Sequence, residues 1–464
     1  MTDQINALKS GEIQKQREIV TALIQNPSDK GTGVLIWFME SDYAKPFLKR
    51  QILTELGKRK GNEAYQAAVK VLKNPNERPE VRGSAANALG AMKNAQALGV
   101  FKEILNPELN LNIQMQIVQA LGNFSSAEAE KMLLQFLSTN TQPMLKIVAI
   151  QGLAKTNSQV IESQFQELLQ KEEATSVQRA LIRALGQMRV AEVAPQLAEM
   201  LTESSDAQLK QDALLALAQM KNPKVVPQLI PLLKDSGQNI PFYTIYALGE
   251  IVSPEAIEPL IEFWDEQEEV SGENVRQMMH QNQMKALIIN SLRNIYPSKA
   301  LAVFMEAAKP VAPAVASPQA EQAMNQLRIT ALDALAETHD LGVGAYIRKE
   351  GFLNESNAHI RAAALKAMGA SGDAEGIEQI VAQLSDSSPL VRWSAVQALG
   401  QLKMNSTLPT LIKALDDPHP EVVIQAIYSL APFHDPTADN AIREVADTSN
   451  FPHVKEIAQR TLRN

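Results

Sequence analysis

Segments of about twelve residues with a similar pattern of apolar side chains recur along this chain. Within each copy of the segment, the apolar positions have helical spacing. The clearest copy is VRWSAVQALGQL at 391–402, and similar segments lie at 81–92, 113–124, 177–188 and 360–371. We call the Leu or Met that precedes the small residue of each copy its anchor. The positions eight and four residues before the anchor are apolar in thirteen of fourteen copies. At 100° per residue these positions share one face of a helix, so each copy predicts an amphipathic α-helix.

The anchors define the repeat. Eleven of their thirteen intervals are 31 to 33 residues, and the other two, 44 and 43, are consecutive. A second apolar segment precedes each predicted helix, with Pro and Asp between the two, so each repeat is expected to be a pair of helices. One pair cannot bury its own apolar face, so neighbouring pairs must stack in a solenoid. The anchors are Leu23, Leu56, Leu89, Leu121, Leu153, Leu185, Leu217, Leu248, Leu292, Leu335, Met368, Leu399, Leu430 and Leu462.

The repeats resemble HEAT repeats, specifically the short phycobilisome-lyase-type HEAT-like repeats. The likeness rests on the pattern Asp/Pro-x-x-x-Val-Arg-x-x-Ala-x-x-Ala-Leu-Gly and extends from about residue 11 to the end of the chain. It implies an all-α, right-handed α-solenoid of thirteen to fourteen helical pairs over residues 1–464, with the second helix of each pair on the concave side. Tetratricopeptide and ankyrin signatures are absent.

The arginine of this pattern is only partly kept. Arg82, Arg328, Arg361 and Arg392 match it, and Lys stands at 49, 146, 210, 285 and 455. The departures are Gln16, Gln114, Gln178, Pro241 and Val423. We therefore expect the Asp–Arg ladder that links such repeats to be interrupted. Seven anchors are followed by Gly, which suits either a sharp helix end or close packing on a neighbouring helix.

The composition of the chain excludes or disfavours several classes of function. The 464 residues carry 44 Lys and Arg against 52 Asp and Glu, a net charge of −8, and no basic block stands out, which disfavours nucleic acid as a partner. The chain has no Cys, so disulfides, thiolate metal sites and Cys nucleophiles are excluded. Neither a signal peptide nor an apolar run of membrane-spanning length is visible. We expect a soluble cytoplasmic protein.

The search for catalytic chemistry predicts no catalytic residue, metal site or cofactor. The six histidines lie at least fifteen residues apart, and no His-Glu dipeptide occurs, whereas the HEAT-repeat deoxyhypusine hydroxylases build their iron site from such dipeptides. Gly-x-Ser-x-Gly is also absent. Two other functions stay open: a chromophore-lyase type of protein that binds a small ligand, by analogy of fold alone, and a self-assembling structural component.

Aromatic residues mark a candidate partner site on the second helices. Phe242, Tyr243 and Tyr246 occupy the positions six, five and two residues before their anchor, and most repeats have a polar residue at the last of these positions. Trp393 and Tyr428 are expected to continue this group. Exposed aromatic side chains bury much area with few rotatable bonds, so they are good anchors for a partner. The competing interpretation of Phe242 and Trp393 is packing between repeats.

The two long intervals follow this aromatic group. Residues 265–283 form an acidic insertion that includes Asp265, Glu266, Glu268 and Glu269, and residues 309–322 form a Pro/Ala-rich insertion. Both are expected to be loops between first and second helices, emerging at one edge of the solenoid, where neutral loop growth is the alternative. We predict a non-catalytic scaffold or adaptor that binds a protein through its concave face and this edge, with a basic segment of the partner meeting the acids.

Overall fold

The computed structural model describes residues 2–156, 158–237, 239–267, 275–310 and 318–463, and every regular element within these ranges is a helix. The chain divides into two compact units, residues 1–220 and 221–464. The α-helices of the first unit are α1 (Thr2–Lys9), α2 (Ile13–Gln25), α3 (Asp29–Glu40), α4 (Pro46–Arg59), α5 (Asn62–Lys73), α6 (Pro79–Met92), α7 (Gln96–Ile104), α8 (Leu111–Leu121), α9 (Ala127–Thr139), α10 (Pro143–Leu153), α11 (Gln159–Lys171), α12 (Thr175–Met188), α13 (Ala194–Glu203) and α14 (Ala207–Met220).

The second unit repeats this alternation of first and second helices. Its α-helices are α15 (Val226–Leu229), α16 (Ile240–Ile251), α17 (Ile257–Asp265), α18 (Val275–Ile295), α19 (Leu301–Ala308), α20 (Pro318–Thr338), α21 (Gly342–Glu350), α22 (Ala358–Ser371), α23 (Ile377–Ala382), α24 (Pro389–Leu402), α25 (Leu408–Lys413), α26 (Pro420–Leu430), α27 (Pro436–Thr448) and α28 (Pro452–Thr461). Short 3-10 turns adjoin several helices, at Ala191–Val193, Pro223–Val225, Ile230–Lys234, Pro254–Ala256, Pro297–Ala300, Phe352–Asn354, Ala374–Gly376, Gln383–Ser385, Asn405–Thr407, Ala414–Asp416 and Ala431–Phe433.

The anchors confirm the all-α solenoid. Thirteen of them are buried inside even-numbered helices, the second helices of their pairs, and Leu462 follows directly after α28. Each second helix packs on the second helices before and after it within its unit, and each except α8 also packs on the first helix of its own pair. Residues 2–9, whose role the sequence leaves open, form α1 and complete the first pair with α2. Whether the two units form one continuous array stays a prediction.

Small residues let successive second helices touch. Most of these helices continue past the Gly that follows the anchor. They end at a left-handed residue four positions after the anchor, as at Lys93 and Lys403. The Gly therefore serves close packing and not a helix end. A Cβ added to Gly90 would lie 2.7 Å from the Cβ of Ala120 and 2.9 Å from its Cα. First helices touch one another much less. This closer spacing of second helices favours the predicted concave side within each unit.

Ion pairs join the loops that connect first to second helices. We call these loops of consecutive pairs the loop edge, and each link between them a rung. Arg361 donates from Nε and Nη2 to the carboxylate of Asp386, at 2.8 and 2.9 Å, and from Nη1 to the carbonyl of Glu355 in its own loop. Arg392 repeats this arrangement with Asp417. The equivalent rungs are Lys49 with Glu77, Lys146 with Glu172 and Arg328 with Glu355.

The ladder is interrupted where the sequence departs from the pattern, and also at Arg82, which matches the pattern but donates to the carbonyl of Leu72 in its own pair. Gln178 donates to the carbonyl of Glu172 and Gln114 to that of Leu109, both within their own pair. A neutral amide cannot form the charged half of a rung.

The two insertions are partly helical, which corrects the expectation of loops. Residues 275–283 begin the 21-residue helix α18, and residues 318–322 begin α20, which is equally long. Buried Met278 and Ala320 extend the apolar stripes of these helices, and the segments are rich in Gln, Met, Ala and Glu, which favour helix. Of the acidic insertion, residues 268–274 lie outside the described residues, as do residues 311–317 of the Pro/Ala-rich one.

Replacing a packing glycine tests the contact between second helices. We expect Gly90→Ala to lower the free energy of unfolding by about 1–3 kcal/mol, because the new methyl group meets the backbone of Ala120. Gly99→Ala is the control: Gly99 lies in α7 with open space around it, so the substitution should stabilise the protein by about 0.5–1 kcal/mol. Urea unfolding measures both. Equal effects from the two variants would contradict the packing role.

The rungs predict sensitivity to acid. Burial acts to raise the pKa of Asp386, but hydrogen bonds from Arg361 and from the Ser388 N–H outweigh it, so its pKa lies below the ordinary value. The pKa of Asp417 is lowered in the same way by Arg392 and the His419 N–H, against burial. Their stabilisation is complete above an ordinary Asp pKa of about 4 and is lost as the pH falls below it.

The variant Asp386→Asn/Asp417→Asn should therefore be less stable than wild type near neutral pH, by about 1–3 kcal/mol for each rung. Its free energy of unfolding should change less than that of wild type between about pH 5 and pH 2.5. Asp416→Asn is the control, because Asp416 is an exposed neighbour outside the rung. Urea titrations at several pH values measure these differences, and parallel pH profiles for wild type and the double variant would refute the assignment.

Candidate functional site

Helix α16 brings three of the predicted partner-binding residues together. Phe242 and Tyr243 are half-buried, and their rings meet edge to face with centroids 5.7 Å apart. Tyr246 is 38% exposed one turn further along the same helix. The helix begins directly after Asn239, which is left-handed, and Pro241 lies in its first turn. An apolar surface is thus presented beside a buried face that holds the anchor Leu248.

Trp393 and Tyr428 form a separate group. Trp393 is half-buried on α24, and Tyr428 is 53% exposed on the adjacent second helix α26. Helices α18, α20 and α22 lie between α16 and α24 in the succession of second helices. The predicted single cluster is therefore two aromatic groups.

Smaller apolar residues bridge these two groups, and the sequence analysis missed them. They occupy the position six before the anchor on each intervening helix, and on α18 and α22 the position five before it as well. Both α22 residues, Ala362 and Ala363, are buried. Neighbouring second helices are in register on this face, since Lys366 Nζ donates to Asp333 at 2.7 Å from the equivalent position of the next helix. We define the apolar row as Phe242, Tyr243, Ala286, Leu287, Ile329, Ala362, Ala363, Trp393 and Ile424. Comparing the residues that stand at the same distance from the anchor in every repeat would have revealed it.

The corresponding positions of the first unit are mostly polar at both ends. Arg17 and Arg50 occupy them near the start, and Arg179 near the end. Arg179 Nε and Arg183 Nη2 donate to one carboxylate oxygen of Asp212, at 2.6 and 2.8 Å. The hydrogen bond to Asp212 raises the pKa of Arg183, against burial. The large apolar residues at these positions, Met115, Ile147 and Val148, lie in the middle of this unit, and Ala180 follows near its end.

The acidic candidates lie beside the beginning of the row. Asp265 is the last residue of α17 and is exposed. Glu266 is also exposed, and its Oε1 accepts a hydrogen bond from Lys234 Nζ at 2.6 Å. Glu268 and Glu269 lie outside the described residues. The negative charge of these acidic residues is therefore partly neutralised by a lysine of the same chain.

Among the described residues, no three His, Asp or Glu side chains are arranged to hold a metal ion. None of the helices that the structure describes combines the length and the apolar character required to cross a membrane.

Comparison with solved structures supports the architecture. A crystal structure of importin beta is similar over 99% of this chain and 74% of its own, with a TM-score of 0.64 and 14% identity. A structure of the Kap95:Nup1 complex matches over 100% of this chain and 76% of its own, with a TM-score of 0.53 and 12% identity. A homology model of the full-length AP-3 complex matches over 99% and 92%, with a TM-score of 0.54 and 12% identity. At these identities the likeness concerns the fold.

Comparison with protein families identifies the type of repeat. None of the curated proteins compared with this sequence matches it significantly. The family of HEAT repeats matches at residues 130–218, 195–278 and 377–463, which together span about half of the chain. The PBS lyase HEAT-like repeat matches at residues 360–386, the segment whose Arg361 and Asp386 form a rung. The chain belongs to the HEAT-repeat family.

Proposed function

We propose that this protein is a non-catalytic cytoplasmic scaffold or adaptor that binds a protein partner through the apolar row of its second unit. The observation that carries the proposal is the row itself: six successive second helices place apolar side chains at one register position, with aromatic groups at both ends. Aromatic residues account for much of the binding energy at protein interfaces. Tyr246 and Tyr428 supply the most exposed aromatic area beside the row.

The spacing of the row favours a helical partner segment. Packed helices lie about 8–10 Å apart, so the row from α16 to α26 spans about 40–50 Å. An α-helix advances about 10.5 Å in seven residues, so one apolar side chain per heptad meets one layer of the row. Side chains on one face of an extended strand recur about every 7 Å and do not match this spacing. We infer an amphipathic partner helix of about 30 residues, laid across the second helices.

A basic part of the partner completes the proposal at the acidic edge. Asp265 and Glu266 end α17 next to the row, and Glu268 and Glu269 follow in the sequence. A basic segment would compete with Lys234 for Glu266, so this contact is expected to contribute more to the association rate and to specificity than to affinity.

The double variant Tyr246→Ala/Tyr428→Ala tests the row. Recovery of the partner from native lysate, quantified by mass spectrometry, should fall about tenfold or more, because two exposed aromatic anchors are lost. Tyr43→Ala is the matched control, since Tyr43 is 45% exposed in the first unit, and it should leave recovery unchanged. The same partners at wild-type levels with the double variant would rule out the row.

Neutralising the acids tests the edge separately. A variant that carries Asp265→Asn, Glu266→Gln, Glu268→Gln and Glu269→Gln should lower partner recovery at low salt and have little effect at high salt, because exposed charges are screened. Equal loss at both salt concentrations would indicate a structural effect, and no loss at low salt would remove the basic segment from the proposal.

A further inference from the structure

A groove of about 530 Å³ lies at the loop edge of the first unit, far along the chain from the apolar row. It is formed by the loop between α7 and α8, by α9 and by the loop between α9 and α10. Leu105, Met132 and Phe136 supply its apolar lining, and all three are half-buried. This volume is in the range of sites that bind ligands the size of a few amino acids.

The groove coincides with a missing rung. Gln114 stands where Arg361 stands in a complete rung, and it donates to the carbonyls of Leu109 and Pro107 in its own loop. Asn140 stands where Asp386 stands: its Oδ1 accepts from the Gln142 N–H at 2.8 Å, as Asp386 Oδ1 accepts from the Ser388 N–H at 2.7 Å. Both charged partners are thus replaced by amides. Gln114 does not reach the next loop, and the space between the two loops stays open.

The polar rim indicates what the groove would bind. Lys102 and Lys131 are exposed, and neither forms an ion pair with any described residue. Glu128 is the one acidic residue of the lining, so the groove carries net positive charge in a chain of net charge −8. The amides of Gln135 and Gln142 also line it, and such groups pair with the N–H and C=O of a peptide backbone.

We propose that this groove binds an extended segment of a partner protein that carries an apolar side chain next to a carboxylate. The apolar side chain packs on Met132 and Phe136, the carboxylate pairs with Lys102 or Lys131, and the backbone bonds to the amides of the rim. The site is independent of the apolar row. Its specificity comes from the lining, in which Lys102 and Lys131 stand beside Met132 and Phe136.

The test uses the full chain and a library of random heptapeptides displayed on phage. Wild type should enrich peptides in which a large apolar residue is next to Asp or Glu. The variant Gln114→Arg/Asn140→Asp restores the residues of a complete rung, closes the groove and should abolish this enrichment. The same variant should unfold at higher urea concentration than wild type, so that lost binding is not lost folding. Enrichment of basic peptides, no enrichment, or the same peptides with both proteins would overturn the proposal.

Charge reversal tests the rim with an enriched peptide made synthetically and labelled for fluorescence anisotropy. Lys102→Glu/Lys131→Glu should weaken its binding at least about fivefold, because the attraction between the peptide carboxylate and a lysine is replaced by repulsion from two glutamates. Lys93→Glu/Lys155→Glu, at exposed positions of the same unit outside the groove, should leave affinity within twofold of wild type, as should Tyr246→Ala/Tyr428→Ala. Equal weakening by both lysine pairs would mean that the effect comes from the net charge of the protein and not from the groove.

The oligomeric state distinguishes a partner protein from a second copy of this chain. If wild type is a dimer and Gln114→Arg/Asn140→Asp is a monomer, the occupant of the groove is a second copy of this chain, and the proposal fails.

Discussion

The direct contact of each second helix with the next is the constraint on which the rest of the structure depends. Gly, Ala and Ser at this contact bring helix backbones together, as at Gly90 with Ala120 and at Gly400 with Ser429. Because the first helices lack such close contacts, the two sides of a unit differ in spacing. The tighter side fixes the register of successive helices, so that residues at one repeat position form rows. Both the apolar row and the ladder of rungs are consequences of this register.

The loop edge is joined by a second kind of interaction, which is optional from repeat to repeat. A rung needs a long cation on the second helix and a carboxylate two or three residues before the next second helix begins, as with Lys49 and Glu77 or Arg392 and Asp417. Removing one charged partner would leave a poorly solvated charge, which is costly. Removing both, as at Gln114 and Asn140, leaves no such charge and only loses the link. An open groove is therefore compatible with a stable array.

Much of this could be predicted from the sequence, because burial repeats with the period. The anchors, the pairing of helices and the interrupted ladder all follow from residues that share a register position. The extra length and the acidic or Pro/Ala-rich composition of the insertions indicate loops, but Met278 and Ala320 continue the apolar stripes of the helices that follow, so part of each insertion is helical. The separation of Trp393 and Tyr428 from Phe242 has a different cause: proximity in space depends on how many helical layers intervene. The groove could not be predicted, since it depends on the absence of a contact between two loops.

Differences between repeats, and not the repeat itself, carry the information about binding. Every second helix needs its anchor, and eleven of the fourteen anchors are followed by Gly or Ala, so these positions vary too little to distinguish one partner from another. The positions six and five before the anchor do not contribute to that packing in a fixed way, so they are free to be Arg179 in one unit and Trp393 in the other. The same freedom exists at the rungs. Partner-binding surfaces therefore arise at those positions of the repeat where packing of the helices does not dictate which residue is present.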